Sequence, residues 1–187
     1  IEGGKVLYVG ADNSEHIIRS DGPVITPSDI EASQQSSFGS MRVSNDWVSD
    51  SIAFISNDQR RLRLIDYDSD SRGSRTPDLT WAAEHITRGK LKEVHHAPNP
   101  ENLLWCTTED GNFLSCTYNT EYGALGWARH STEGVVKSTV VAEEDGVSIL
   151  YVLSYSYGQL KLLRMTTEEI YMDEFVREVF PSAQGSV

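Results

Sequence analysis

The sequence predicts an all-β fold of antiparallel meanders, a propeller, sandwich or barrel, with one or two short helices. Three observations predict it. About a dozen runs of roughly five to nine residues are β-prone or alternate apolar with polar residues. Most are closed by Gly, Pro, Asn, Asp or Ser, so the connections are the tight turns of hairpins. Only two segments show a helical period. No internal repeat is sharp enough to mark the blades.

Residues 5–10 (KVLYVG) and 15–19 form the first strand pair across Ala11-Asp12-Asn13-Ser14. Asp21-Gly22-Pro23 then breaks the chain, and Pro27 forbids a central strand in the next turn. Residues 30–37 are polar but β-permissive, 36–40 are a loop, and 43–50 carry Trp47. The apolar run 51–56 ends at Asn57-Asp58. In 61–67, Leu62 and Leu64 alternate with Arg63 and Ile65, a strand covered on both faces. Residues 66–77 read as a polar loop. Asp78 is placed to cap a helix of about two turns over 79–86, with Trp81, Ala82, His85 and Ile86 as its apolar stripe. Arg88-Gly89 ends it, and 91–96 return to strand.

The chain is organised around 103–130, LLWCTTEDGNFLSCTYNTEYGALGWARH. Asp110-Gly111 between two apolar runs is a strong hairpin signal. Strands at 103–107, 113–118 and 124–130 make a three-stranded meander. A two-residue loop pairs Cys106 with Ser115, whereas a three-residue loop brings Cys106 and Cys116 onto one face. Two cysteines are too few for a disulfide framework, and both read as free buried thiols. Trp105, Trp127, Leu104, Leu114, Ile149 and Tyr151 are the expected core.

Strands follow at 135–142, 147–155 and 159–165. The period then changes: Tyr171/Met172, Phe175/Val176 and Val179/Phe180 recur every four residues, behind Glu168 and Glu169. That pattern predicts an amphipathic helix over 168–179. The chain thus divides into a β-rich, propeller-like domain at 1–165 and a C-terminal helix and tail at 166–187.

Charge narrows the function. The 187 residues carry 28 acidic and 16 basic side chains, net −12 with a pI near 4.7. Such a surface does not grip nucleic acid or anionic membranes, both of which need clustered Lys and Arg. No apolar run is long enough for a membrane helix, so no membrane insertion is expected. The start, IEGGKVLYVG, has neither a signal peptide's features nor an initiator Met, and an excised or processed segment is expected.

The chemical constellations are weak. Asp66, Asp68 and Asp70 stand at the first three spacings of a calcium loop, but Gly73 is two positions late and Pro77 occupies the place of the closing Glu. His95-His96 point to opposite strand faces and cannot share a metal. His85 and His130 read as partly buried polar side chains. Arg60-Arg61 with Arg63 reads as a solvated strand face, not a phosphate site. Gly3-Gly4 and the other glycines form no phosphate loop, and no serine sits in a nucleophile elbow. No catalytic, cofactor or metal residue is therefore assigned, and the chain is read as no enzyme. Trp47, Trp81, Trp105, Trp127, Tyr151, Tyr155 and Tyr157 read mostly as core. Exposed aromatics beside carboxylates would instead suit a β-rich carbohydrate-binding module for host-surface recognition, the alternative reading.

Three stretches resemble the tail nozzle proteins (tail tubular protein B) of short-tailed bacteriophages. The first, 103–134, is similar to that family's "LW…DG.L…TY..E…GW.RH.T.G" pattern through Trp105, Asp110, Gly111, Thr117, Tyr118, Glu121, Gly126, Trp127, Arg129 and His130. PVITPSDIEASQQSSFGS resembles its "LTP.NI…QS.YGS" element, and RRLRLIDYDSDSRGSRTPDLTWAAEHIT its "RRLRE..YD…..DLT.LAEH" element. The resemblance selects among these folds a partial β-propeller-like array of about three blades, and it implies a structural role: a nozzle subunit of the phage tail, made in the host cytoplasm and carried in the virion. Its partners would be copies of itself in a ring and other tail proteins around the DNA exit channel. It implies no catalytic residue. An acidic passage lets DNA slide, so no stable DNA binding is expected, and the ring's lumen is expected to carry the excess of Asp and Glu.

Overall fold

A computed structural model describes residues 6–20, 22, 25–43, 45–49, 51–68, 73–119, 123–165 and 176–179. The chain is a series of antiparallel sheets, each built from strands adjacent in sequence and each packed on the next. β1 (Val6–Ala11), β2 (Ser14–Arg19) and β3 (Glu31–Ser36) form the first sheet. β4 (Asp46–Val48), β5 (Ser51–Ile55), β6 (Leu62–Asp68) and β7 (Gly73–Arg75) form the second. β8 (Leu91–Ala97), β9 (Leu103–Thr108), β10 (Phe113–Asn119) and β11 (Ala124–His130) form the third. β12 (Val135–Glu144), β13 (Val147–Ser156), β14 (Gln159–Arg164) and β15 (Val176–Val179) form the fourth. The all-β meander array expected from the sequence is the fold observed. Its three four-stranded sheets are joined by one three-stranded sheet.

Alternation along the strands builds three separate cores. Ile17 of the first sheet packs with Phe54 and Ile65 of the second, beside Tyr8. The other face of the second sheet, Ala53, Ile55, Leu62 and Leu64, packs on Leu104, Cys106, Leu114 and Cys116 of the third. The far face of the third sheet presents Trp105 and Phe113 to Val136, Leu150, Val152 and Leu163 of the fourth. β9 therefore feeds two cores, with even-numbered Leu104 and Cys106 on one side and Trp105 on the other. This is the period-two consequence of a strand covered on both faces.

The central hairpin takes the three-residue loop. Cys106 pairs with Leu114 and Cys116 with Leu104, so the thiols share a face. Both are free and fully or nearly buried. Burial pushes the Cys116 thiol up to about 12 and Cys106 well above the usual range. In native protein neither is expected to react with a thiol reagent at mildly alkaline pH, because the thiolate is the nucleophile. Denatured without reductant, the chain should titrate two thiols. Finding none would overturn the free-thiol assignment.

Two helical expectations are corrected. Asp78 does cap, accepting from Thr80 N at 2.8 Å and Thr80 Oγ1 at 2.6 Å, but no α-helix follows over 79–86. Ala83 N donates to Thr80 O, Ile86 N to Ala83 O and Lys90 N to Thr87 O, a chain of four-residue turns that includes a 3-10 turn at Ile86–Gly89. The segment is too short to nucleate an α-helix. Leu79 N is also already taken by Leu62 O, which ties the turn to β6. Of the expected stripe only Ile86 is buried, and Trp81 is 70% exposed.

The C-terminal helix over 168–179 is corrected at its end. Val176–Val179 is a strand, paired antiparallel with β14 in the register Lys161↔Val179 to Arg164↔Val176. Residues 168–175 lie outside the described residues. β14 would otherwise present an open ladder of backbone donors and acceptors, and satisfying that edge outweighs a four-residue period. β7, where only a polar loop was expected, likewise pairs β6 through Asp66↔Arg75.

Candidate functional site

The residues that carry the sequence motifs hold turns and tie one sheet to the next. Glu15 on β2 is fully buried, and its carboxylate accepts from the Ser36 hydroxyl, from Ser40 Oγ at 2.9 Å and from Phe38 N at 3.3 Å. The polar loop 36–40 is thus a cage of donors around one charge. Gly39 closes it at φ +75, where a Cβ would lie 2.0 Å from the Asp12 carbonyl oxygen. No other residue fits that approach.

The second motif is a charge cluster. Arg61 Nη1 lies 2.6 Å from Asp78 Oδ2 and Arg61 Nη2 lies 2.8 Å from Glu84 Oε1. Burial would raise the Asp78 carboxyl, but bonds from Thr80 and Arg61 outweigh it and hold the group below its ordinary value. Arg63 is buried rather than solvated: Nε donates to Ser56 Oγ at 3.1 Å and the guanidinium sits 3.6 Å from the centre of the Phe38 ring. Carboxylates, a hydroxyl and an aromatic face use these arginines, so the cluster has no open phosphate seat.

The third motif joins sheets. Trp127 Nε1 donates to Leu79 O at 2.8 Å, fastening β11 to the turn after Asp78. Gly111, at φ +85, sits where a Cβ would lie 2.3 Å from Val135 Cγ1. Its carbonyl accepts from Val136 N at 2.9 Å, which docks β12 on the hairpin. His130 bonds Ser115 Oγ through Nε2 at 2.8 Å and stacks on Phe113 at 5.1 Å. Three junction groups carried no sequence signal because their partners are distant in the chain. Asp46 accepts from His96 N, Glu93 accepts from Ser138 Oγ and Thr139 N, and Thr107 bonds Thr139.

The remaining sequence candidates disperse. His95 and His96 lie on β8, and His96 Nε2 bonds Asn102 Oδ1 at 2.7 Å. His85 is exposed rather than partly buried. Asp66 and Asp68 lie on β6 as backbone partners of Arg75 and Gly73, while Asp70 lies outside the described residues, as do Gly3, Gly4 and Glu121. Among the described residues no three His, Cys, Asp or Glu side chains converge as a metal would need. The aromatics divide. Trp105 is buried and Trp127 and Tyr151 are half-buried, but Trp47, Trp81, Tyr155 and Tyr157 are exposed. The expectation that most form the core is corrected: Trp47 lies on the edge strand β4, Trp81 and Tyr157 lie in turns, and Tyr155 lies on the outer face of the fourth sheet.

The two end sheets carry the widest unpartnered apolar faces. On the first sheet Leu7 and Val9 are 52% and 38% exposed, on the side of β1 opposite Tyr8. On the fourth, Val135 pairs Tyr155 and Tyr155 pairs Leu160 in one row across three strands, at 43%, 44% and 46% exposure. Each inner sheet buries both faces, and each end sheet buries one.

No family model matches the chain, and no curated protein matches it. The structure is similar to the crystal structure of a β-rich protein from Lactobacillus plantarum, with a TM-score of 0.54 and 9% sequence identity over 93% of this chain and 53% of that one. This chain therefore spans about half the length of that protein. At that identity the likeness is one of fold alone.

Proposed function

We propose that this chain is a structural component of a phage tail, a nozzle subunit that assembles with copies of itself and with other tail proteins around the DNA exit channel. The observation that carries the reading is the pair of exposed apolar end faces, Leu7/Val9 and Val135/Tyr155/Leu160. Apolar area of this kind is what association removes from water. The faces differ from each other, so joining one copy's fourth sheet to the next copy's first sheet is a heterologous contact, the kind that closes rings. The resemblance of three stretches to the nozzle proteins supports the role, and so does the way their motif residues serve as turns and sheet ties. Its place is the virion.

Analytical ultracentrifugation across a concentration series tests it. The parent chain is expected to associate, and Val9→Asp or Tyr155→Asp alone to give monomers. An equimolar mixture of the two variants keeps one intact junction and should give dimers, which an isologous interface would not. A parent that stays monomeric at high concentration sinks the reading. The net charge of −12 adds a second expectation: no binding of duplex DNA at low ionic strength, measured by fluorescence anisotropy. Salt-sensitive micromolar binding would contradict a passage that lets DNA slide.

The carbohydrate-binding alternative draws on Trp47, Trp81 and Tyr157, which stand in solvent at 55%, 70% and 83% exposure. A neutral-glycan array separates the two readings, since stacking on these rings needs no charge on the sugar.

A further inference from the structure

A cavity of about 370 Å³ opens where the 3-10 turn before β8 meets the β9–β10 hairpin and β11. Arg88 comes to it from the turn and Arg129 from β11. Neither makes a hydrogen bond or ion pair with another described residue. Arg19, Arg61, Arg63 and Arg164 are by contrast all in ion pairs. The exposed His85 stands at the same opening.

The cavity is not purely cationic. Asp110 lines it, bonded by Thr108 Oγ1 at 2.5 Å and lying over Gly89, where a Cβ would come within 2.4 Å of the carboxylate. The Thr108 bond above all, with help from Asn112 and from Arg129's charge, holds Asp110 below the usual carboxylate range, so it is ionised at neutral pH. Ile86 and Leu114 back the cavity from the core, at 9% and 0% exposure.

We propose that this cavity binds an acidic sugar unit, a monosaccharide-sized polyol carrying one carboxylate or phosphate. Guanidinium forks take such an anion in paired, charge-assisted hydrogen bonds. An ionised carboxylate has about four lone-pair sites, which leaves Asp110 free to accept from sugar hydroxyls. A bare anion would meet Asp110's charge and leave most of the space unfilled. A neutral sugar would leave Asp110 as the one carboxylate facing two guanidiniums in this cavity. The site lies apart from both end faces, and the proposal does not rest on the tail reading.

Chemical-shift titration of the intact chain with glucuronate, glucose 6-phosphate, glucose and inorganic phosphate tests it. At least one acidic sugar is expected to bind about tenfold or more tighter than glucose and phosphate, and the better of the two identifies the anionic group. Arg129→Gln should weaken that ligand by about tenfold, the loss of a charge-assisted contact. Arg42→Gln, at an exposed arginine outside this cavity, should leave it unchanged. Arg129 is exposed, so the variant should melt like the parent; if it does not fold, Arg88→Gln carries the same expectation. No saturable binding of either acidic sugar overturns the proposal. So does inorganic phosphate or glucose binding as tightly as the acidic sugars, or indifference of binding to the arginine substitution.

Discussion

Trp105→Ala is expected to lower the stability of the chain by about 3–5 kcal/mol. Trp105 is 4% exposed and lies in the core shared by the third and fourth sheets. Its ring is 5.8 Å from Phe113 and 5.1 Å from His130, centre to centre. Truncation empties the middle of that cluster, and β9 cannot collapse into the space because its other face is fixed by Leu104 and Cys106 in the neighbouring core. Urea unfolding measures the loss. Trp81→Ala, at a tryptophan that is 70% exposed, is the control and should shift stability by less than about 0.5 kcal/mol. Equal melts for parent and Trp105→Ala would remove the central meander as the folding centre.

Glu15→Ala is expected to be comparably severe through polar chemistry. The substitution leaves the Ser36 and Ser40 hydroxyls and Phe38 N without their shared acceptor, at about 1–3 kcal/mol for each buried donor left unsatisfied. Glu15→Gln should also destabilise, because its amide can turn only one acceptor oxygen towards donors that now use both. Glu143→Ala, at an exposed strand position, should change little. The damage should be confined to the first sheet and the 36–40 loop, so hydrogen exchange would show loss of protection in β2 and β3 ahead of β9 and β10. Wild-type protection there would mean that the cage is not what holds the loop.

Much of the fold was legible in the residues. Alternation along 61–67, and the apolar runs on either side of the turn at Asp110-Gly111, marked most of the strands of the second and third sheets, because strand period and turn type are local properties. Local signals also marked Asp78 as a cap and the cysteines as buried thiols.

Tertiary structure decided what depends on partners far along the chain. Helical spacing at 79–86 and 168–179 was real in the sequence. The first segment nonetheless closed as turns bonded from residue i to i+3, and the last four residues of the second gave their backbone to β14. Free backbone donors and acceptors at a sheet edge or strand end outbid a weak period. The candidate site was the least legible part. Arg88 and Arg129 are 41 positions apart in the numbering, and neither is distinctive alone. Glu15 reads from the sequence as an ordinary strand carboxylate, and only the return of the 36–40 loop makes it a buried charge. Which aromatics are core was likewise a tertiary outcome: Trp105, at the centre of the third sheet, is covered by the fourth, whereas Trp47 on the short edge strand β4 and Trp81 in a turn meet water.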